Sequence, residues 1–278
     1  MHELTSVIES NVAAALAEDV GSGDRTAQLI APAAIGAAQV IVRNDAVICG
    51  APWFDACFRK LDPAVTIEWA IKEGTRARAG QTLVKLRGAA RALLTGERTA
   101  LNFLQMLSAV ATVTRHYVDA VAGTRARIVD TRKTLPGLRL AQKYAVRMGG
   151  GTNHRSGLYD AILIKENHIA AAGGIAAALG EAARIAPPDV WTQIEVENAD
   201  QLRAALAAGA KMILLDNMDT AQLGEAVKIT AGRAELEASG GITLENVRAI
   251  AETGVDRISV GSLTKDIKAV DLSMRFDR

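Results

Sequence analysis

From Arg127 onward the chain repeats one pattern, a brief apolar run followed in nearly every case by an Ala-rich stretch of helix-forming composition. The runs are "RIVDT", "AILIKEN", "WTQIEVEN", "KMILLDN", "AELEASGG" and "RISVGS". Strands separated by helices cannot be hairpin neighbours; they are joined by crossovers and lie parallel in one sheet. An α/β barrel is the expected architecture. The alternative is an open doubly wound sheet, because six or seven units fall short of eight and sequence does not show closure. In either case ligands bind beyond the carboxyl ends of the strands, so the residues there are the ones to read for chemistry.

Upstream the pattern is different. Val7, Ile8, Val12, Leu16 and Val20 keep helical spacing, and "GSGDRT" then breaks it. The runs "AAQVIVRN", "VTIEWAI" and "TLVKLRG" read as strands around a helix-like "WFDACFRKL", a small α+β unit ending near Arg87. Residues 89–122 lack proline and favour one long helix or two in sequence. This places a domain boundary between 1–122 and 123–278. Lys plus Arg at 32 nearly cancels Asp plus Glu at 31, so no global field points to nucleic acid or a membrane surface, and any anion site is local. Cys49 and Cys57 show no metal-like spacing and read as buried thiols. The opening "MHELTSVIES" lacks the pattern of a secretory leader, and no apolar run is long enough for a membrane span; a cytoplasmic protein is expected.

The strand ends sort by charge. "DTRKT" sets Arg132 and Lys133 after the first strand of the repeat, "GGGTNHR" adds His154 and Arg155 before the second, and Lys165 closes the second. Singly each is a solvated surface charge; together at one mouth they suit a compact polyanion such as a dicarboxylate. On the third strand Glu195 and Glu197 share a side, and Asp216 ends the fourth. These carboxylates either pair with the cations, hold Mg²⁺ on a phosphorylated substrate, or bind ribose hydroxyls. Ser239, Gly240 and Gly241 precede a helix expected near Thr243, and Gly261 with Ser262 follows the last strand. A pair of Gly-rich turns on consecutive terminal strands matches the phosphate cradle of many barrels. The triple glycine of "RMGGGTNHRSG" permits tight turning or close approach of a ligand to the backbone.

The order of "ERTALNFLQ", "DTRKTLPGLR", "KYAVRMGGGTNHRSGLYDAILIKENH", "EVEN", "LLDN", "SGGIT" and "GVDRISVGSLT" resembles the quinolinate phosphoribosyltransferase family, the carboxylating nicotinate-nucleotide pyrophosphorylases, over most of the chain. The resemblance implies an N-terminal α/β sandwich domain and an incomplete C-terminal (β/α) barrel. It also implies transfer of phosphoribosyl from 5-phosphoribosyl-1-pyrophosphate to quinolinate with Mg²⁺, giving nicotinate mononucleotide, pyrophosphate and CO₂. By position, Arg98, Arg132, His154, Arg155 and Lys165 would bind the pyridine dicarboxylate. Lys133, Glu195 and Asp216 would serve the phosphoribosyl pyrophosphate and its metal, and Ser239, Gly240 and Gly261 the 5'-phosphate. The family further implies a homodimer in which Arg98 completes the partner's site, with assembly to a hexamer left open; an ordinary ion pair on the helix surface is the simpler reading of Arg98. A molybdenum-transport-associated relative of the same fold is disfavoured by Lys165, and a nicotinate-specific enzyme by the number of cations.

Overall fold

In the computed structural model, which describes residues 2–277, the N-terminal helical spacing becomes α1 (His2–Val20), with Val12 and Leu16 buried. After it come β1 (Ile35–Val42), β2 (Ala46–Val47), α2 (Ala51–Leu61), β3 (Thr66–Trp69), β4 (Arg76–Ala77) and β5 (Thr82–Ala89). The proline-free stretch is a single helix of 31 residues, α3 (Ala90–Ala120). The chain continues through β6 (Arg127–Val129), α4 (Arg139–Met148), β7 (Ala161–Ile164), α5 (Glu166–Ala172), α6 (Ile175–Ile185), β8 (Trp191–Val196), α7 (Ala199–Ala207) and β9 (Met212–Asp216). It ends with α8 (Thr220–Thr230), β10 (Glu235–Ser239), α9 (Val247–Glu252), β11 (Arg257–Ser259), α10 (Ser262–Lys265) and β12 (Leu272–Phe276).

Two units result, and the chain passes between them more than once. Residues up to Arg115, Thr134–Gly150 and those from Thr264 onward belong to the first; His116–Lys133 and Gly151–Leu263 form the second. The division is thus not the single cut at 122/123 that the change of pattern suggests. One reason is strand pairing: β12 pairs antiparallel with β1, Val40 opposite Met274, and this returns the C-terminus to the first unit.

The first unit has an antiparallel sheet in the order β12-β1-β5-β3 and a small ladder of β2 with β4. Alternation in "IGAAQVIV" turns Ala38, Val40 and Val42 inward, where they meet the buried Leu83, Val84 and Leu86 region of β5 and the aromatic face of α2. Trp53, Phe54 and Phe58 are fully buried, with the two Phe rings edge-on at 5.0 Å. Burial of such a side chain stabilises by roughly 1.5–3 kcal/mol each. Gly96 of α3 faces this cluster, where a Cβ would come within 2.9 Å of the Phe58 ring. The cysteines are both buried. Loss of hydration pushes the Cys57 thiol up to about 12, and burial together with the nearby Glu73 raises Cys49 well above its ordinary value, as expected of inert thiols.

The triple glycine serves packing first. Gly149 ends α4, and a Cβ there would lie 2.6 Å from the Ala111 carbonyl oxygen and from Thr114 Cβ, both on α3. Gly150 takes φ +92°, where residues with a side chain are strained. Close approach of a helix, not of a ligand, explains Gly149.

The second unit is a six-stranded, wholly parallel sheet ordered β6-β11-β10-β9-β8-β7. All six expected strands form. Ile194, Val196, Ile213, Leu215, Leu236 and Ala238 alternate onto the buried, helix-covered side together with Leu202, Ala205, Leu223 and Ala226 of the helices. Helix starts are fixed by side chains: Asn198 accepts from the Gln201 N–H at 3.0 Å, and Asp219 and Gln222 form a reciprocal capping box. Thr152 bridges to Val129 at the outer side of β6, while the next residues reach the strands at the other end of the sheet: Arg155 Nη1 donates to the Ala161 carbonyl of β7 and His154 bonds Gln193 of β8. A flat open sheet would keep those ends apart. The sheet is curled into an incomplete barrel.

Candidate active site

The carboxyl ends of the six strands assemble most of the residues singled out from sequence. After β6, Asp130 is fully buried and anchors the loop before β7: its Oδ1 accepts the His154 N–H at 2.8 Å and its Oδ2 the Asn153 side-chain amide at 2.6 Å. That clamp sets Arg155 beside Arg132. Burial chiefly, and then the Arg132 charge, lower the Arg155 guanidinium's pKa, so the two cations oppose one another at the site. The Lys133 side chain passes the turn after β11, its Cδ 3.1 Å from where a Cβ on Gly261 would stand.

Lys165, at the end of β7, pairs with Glu195 of β8 at 2.7 Å. The ion-pair reading of that carboxylate is therefore realised, while the Lys165 side chain stays 45% exposed and Glu195 10%. Glu195 is opposite Leu214 of β9, and Asp216, two residues further along β9, shares that face. Asp216 is in register with Ser239 of β10 and accepts a hydrogen bond from the Asn217 amide at 2.9 Å. Asn217 itself has φ +52° and lies over Gly240, where a Cβ would meet its Oδ1 at 2.1 Å.

Some expectations change. Glu197 lies one residue beyond β8, which ends at Val196; it is exposed, and its N–H is bonded to the Gln201 side chain. The helix expected near Thr243 begins only at Val247, because Asn246 bonds both the Thr243 N–H and the Gly241 carbonyl and holds a turn there. Gly240 and Gly241 both have positive φ in that turn at the strand end, and only the Gly241 side is free of near neighbours. Arg98 is on α3 in the first unit and is exposed.

Reading the sequence by strand ends passes over a set of interior residues, Asp130, Gln193, Glu237 and Arg257, and the exposed Asn217. A signal is nonetheless present. Gln193 precedes Glu195 by two and Glu237 precedes Ser239 by two, so strand alternation carries the site's polarity inward along the barrel.

Models of the quinolinate phosphoribosyl transferase N-terminal and C-terminal domains match residues 24–108 and 110–275. The chain belongs to the quinolinate phosphoribosyltransferase family. Within this family it is 44% identical over 257 residues to the probable carboxylating nicotinate-nucleotide pyrophosphorylase of Bacillus subtilis, covering 92% of this chain and 89% of that one. It is 44% identical over 270 residues to the carboxylating nicotinate-nucleotide pyrophosphorylase of Mycobacterium leprae, covering 94% of each. The solved structure of the nicotinate-nucleotide pyrophosphorylase from Francisella tularensis superposes with a TM-score of 0.95 at 45% identity, over 98% of this chain and 97% of that one. The family's mixed α/β fold is the one described above. Among the described residues no helix is long and apolar enough to cross a membrane.

Proposed function

We propose that this protein transfers phosphoribosyl from 5-phosphoribosyl-1-pyrophosphate to the ring nitrogen of quinolinate and releases the 2-carboxylate as CO₂, the step that yields nicotinate mononucleotide for NAD biosynthesis. The observation that carries this reading is the apposition of Arg132 and Arg155. Two guanidiniums, one of them partly desolvated, oppose each other and are relieved by a dianion. Lys165 at the adjacent strand end and Arg98 add to the charge available to a pyridine dicarboxylate, and His154 stands beside Arg155 in the same loop.

In the transfer, the ring nitrogen forms a bond to the ribose C1 carbon as the bond to pyrophosphate breaks, and positive character builds on C1. Glu195 and Asp216 stabilise that charge, and Lys133 meets the departing pyrophosphate. The alkylated ring is a pyridinium; when the bond to the 2-carboxylate breaks, its electron pair stays on the ring carbon, stabilised by the adjacent positive nitrogen, CO₂ leaves, and that carbon takes up a proton from solvent. The protein's part is to hold the ring and limit water, with no covalent nucleophile. Ser239, Gly240 and Gly261, at the ends of the last two strands of the barrel, would receive the 5'-phosphate.

The donor set suits Mg²⁺. Glu195 and Asp216 supply hard carboxylate oxygens from neighbouring strands. Among the described residues no group of three or more His, Cys, Asp and Glu makes a closed cage, so substrate oxygens and water would complete the coordination. When bound, the ion neutralises charge on the pyrophosphate. We further place the protein in a homodimer with shared sites, Arg98 reaching the partner's barrel; the cytoplasm fits an enzyme acting on soluble phosphorylated substrates.

The test is acid selectivity. Quinolinate should exceed nicotinate by about a hundredfold or more in kcat/KM, because a single carboxylate leaves part of a desolvated cation cluster unmet. Comparable turnover of the two acids would contradict the assignment of Arg132, Arg155 and Lys165.

A further inference from the structure

The interior of the barrel below the site holds a chain of polar groups that the reaction above does not use. Glu237 of β10 is completely buried. Its Oε2 lies 3.0 Å from Arg257 Nε on β11 and accepts from the Gln193 amide at 3.2 Å; its Oε1 accepts no hydrogen bond and lies 3.7 Å from His154 Nε2. Gln193 in turn places its Oε1 2.9 Å from His154 Nε2. On the other side of the imidazole, His154 Nδ1 accepts the backbone N–H of Arg155 at 2.8 Å. Trp191 packs edge-on against the ring at 5.0 Å, and the His154 side chain is only 8% exposed.

The directions of these bonds are not free. A backbone N–H only donates, so Nδ1 carries a lone pair. The ring proton is then on Nε2, which donates to the Gln193 oxygen, and the Gln193 NH₂ is left facing a carboxylate that can only accept. Reversing any one member sets two donors or two acceptors against each other. Arg257, whose Nε lies 3.0 Å from Oε2, sets a positive charge beside the buried Glu237 side chain.

We propose that Gln193 and Glu237 are positioning residues for the acid substrate. Through them the neutral Nε2–H form of His154 is enforced, its Nδ1 fixes the Arg155 backbone, and the Arg155 guanidinium is thereby aimed at a carboxylate beside Arg132. His154 acts on the substrate mainly through Arg155. This inference rests on the function proposed above, but half of its test does not.

The spectroscopic half uses the intact protein labelled with ¹⁵N-histidine. The chain has four histidines, and the His154 signals are identified by their loss in His154→Asn. Long-range ¹⁵N–¹H correlations at neutral pH should show one tautomer for His154, Nε2–H with an unprotonated Nδ1. A proton on Nδ1, in the other tautomer or in an imidazolium, would overturn the relay whether or not the protein has the proposed activity.

The binding half measures the Kd of quinolinate and the separate KM values. Gln193→Met, which keeps length but neither hydrogen bond, should raise the Kd and KM for quinolinate about tenfold, as for one lost hydrogen bond next to a charge, with the KM for phosphoribosyl pyrophosphate nearly unchanged. His154→Asn puts an amide oxygen near the place of Nδ1 and should retain more of the affinity than His154→Ala. Equal losses in Asn and Ala variants, or undisturbed quinolinate binding in a folded Gln193→Met protein, would overturn the proposal. If Gln193→Met does not fold, the His154 pair and the parent's tautomer still decide. Failure of the parent to bind quinolinate at all would instead overturn the function, and is measured first.

Discussion

Glu195→Gln and Asp216→Asn should each lower kcat by about two to three orders of magnitude while leaving the Kd of quinolinate within about threefold, the size seen when one preorganised group facing developing charge is removed. The two carboxylates occupy one face of neighbouring strands at the mouth of the barrel, where a cationic ribose carbon and a metal ion would need them. Both changes are isosteric. The amide oxygen introduced by the first can still accept from Lys165, whose ammonium now lies 2.7 Å from the Glu195 carboxylate. Loss of a negative charge beside Lys165 also makes the site more positive, which does not weaken a dianion. Interactions that count only as charge develops should therefore be lost from turnover and not from ground-state binding. Isothermal titration with quinolinate and steady-state kinetics separate the two. Loss of acid binding with an intact rate for the bound complex would place these carboxylates on the wrong substrate.

Mixing two inactive variants should restore activity. Arg98→Ala and Lys133→Ala are each expected to lose nearly all turnover, since the first removes a cation for the dicarboxylate and the second the cation facing pyrophosphate. Arg98 is exposed on α3, and its influence on Glu97 is secondary: burial raises the Glu97 carboxyl and Arg98 only partly offsets it. A salt bridge with that neighbour on a helix surface would in any case be worth little. Unfolded together in equal amounts and refolded, the two proteins should pair at random in a two-fold dimer. About half of the dimers are then mixed, and each mixed dimer has one site with Lys133 from its own barrel and Arg98 from the partner, so about a quarter of all sites recover. Distinguishable tags establish that mixed dimers are present. If they are present and no activity returns, Arg98 works within its own chain.

How far the sequence can be read follows from which forces act locally. The six parallel strands and the charges at their ends are visible because alternation and Ala-rich helices repeat at short range, and Arg132, Lys165, Glu195, Asp216 and Ser239 all stand at or just beyond a strand's end. The return of β12 to β1 is not legible: "LSMRF" pairs with residues more than two hundred positions earlier, and no local pattern specifies that partner. The same holds for α4, whose place in the first unit depends on Gly149 meeting α3. For Glu197 strand alternation is no guide, because a period of two holds only while the strand lasts and β8 stops one residue short. In the sequence His154 reads as one of five equivalent cations, whereas its two ring nitrogens are both engaged inside the protein, one by Arg155 and one by Gln193. A histidine's charge and direction depend on what surrounds it, which composition does not reveal.

The central claim is the coupled reaction, and labelled CO₂ tests it most directly. Quinolinate carrying ¹⁴C in its 2-carboxylate is incubated with the protein, phosphoribosyl pyrophosphate and Mg²⁺, and CO₂ and pyrophosphate are counted together. The expected result is labelled CO₂ in one-to-one proportion to pyrophosphate, dependent on phosphoribosyl pyrophosphate, and no label released when the ¹⁴C is in the 3-carboxylate. Pyrophosphate formed without CO₂, or no release of either by well-folded protein, would contradict it.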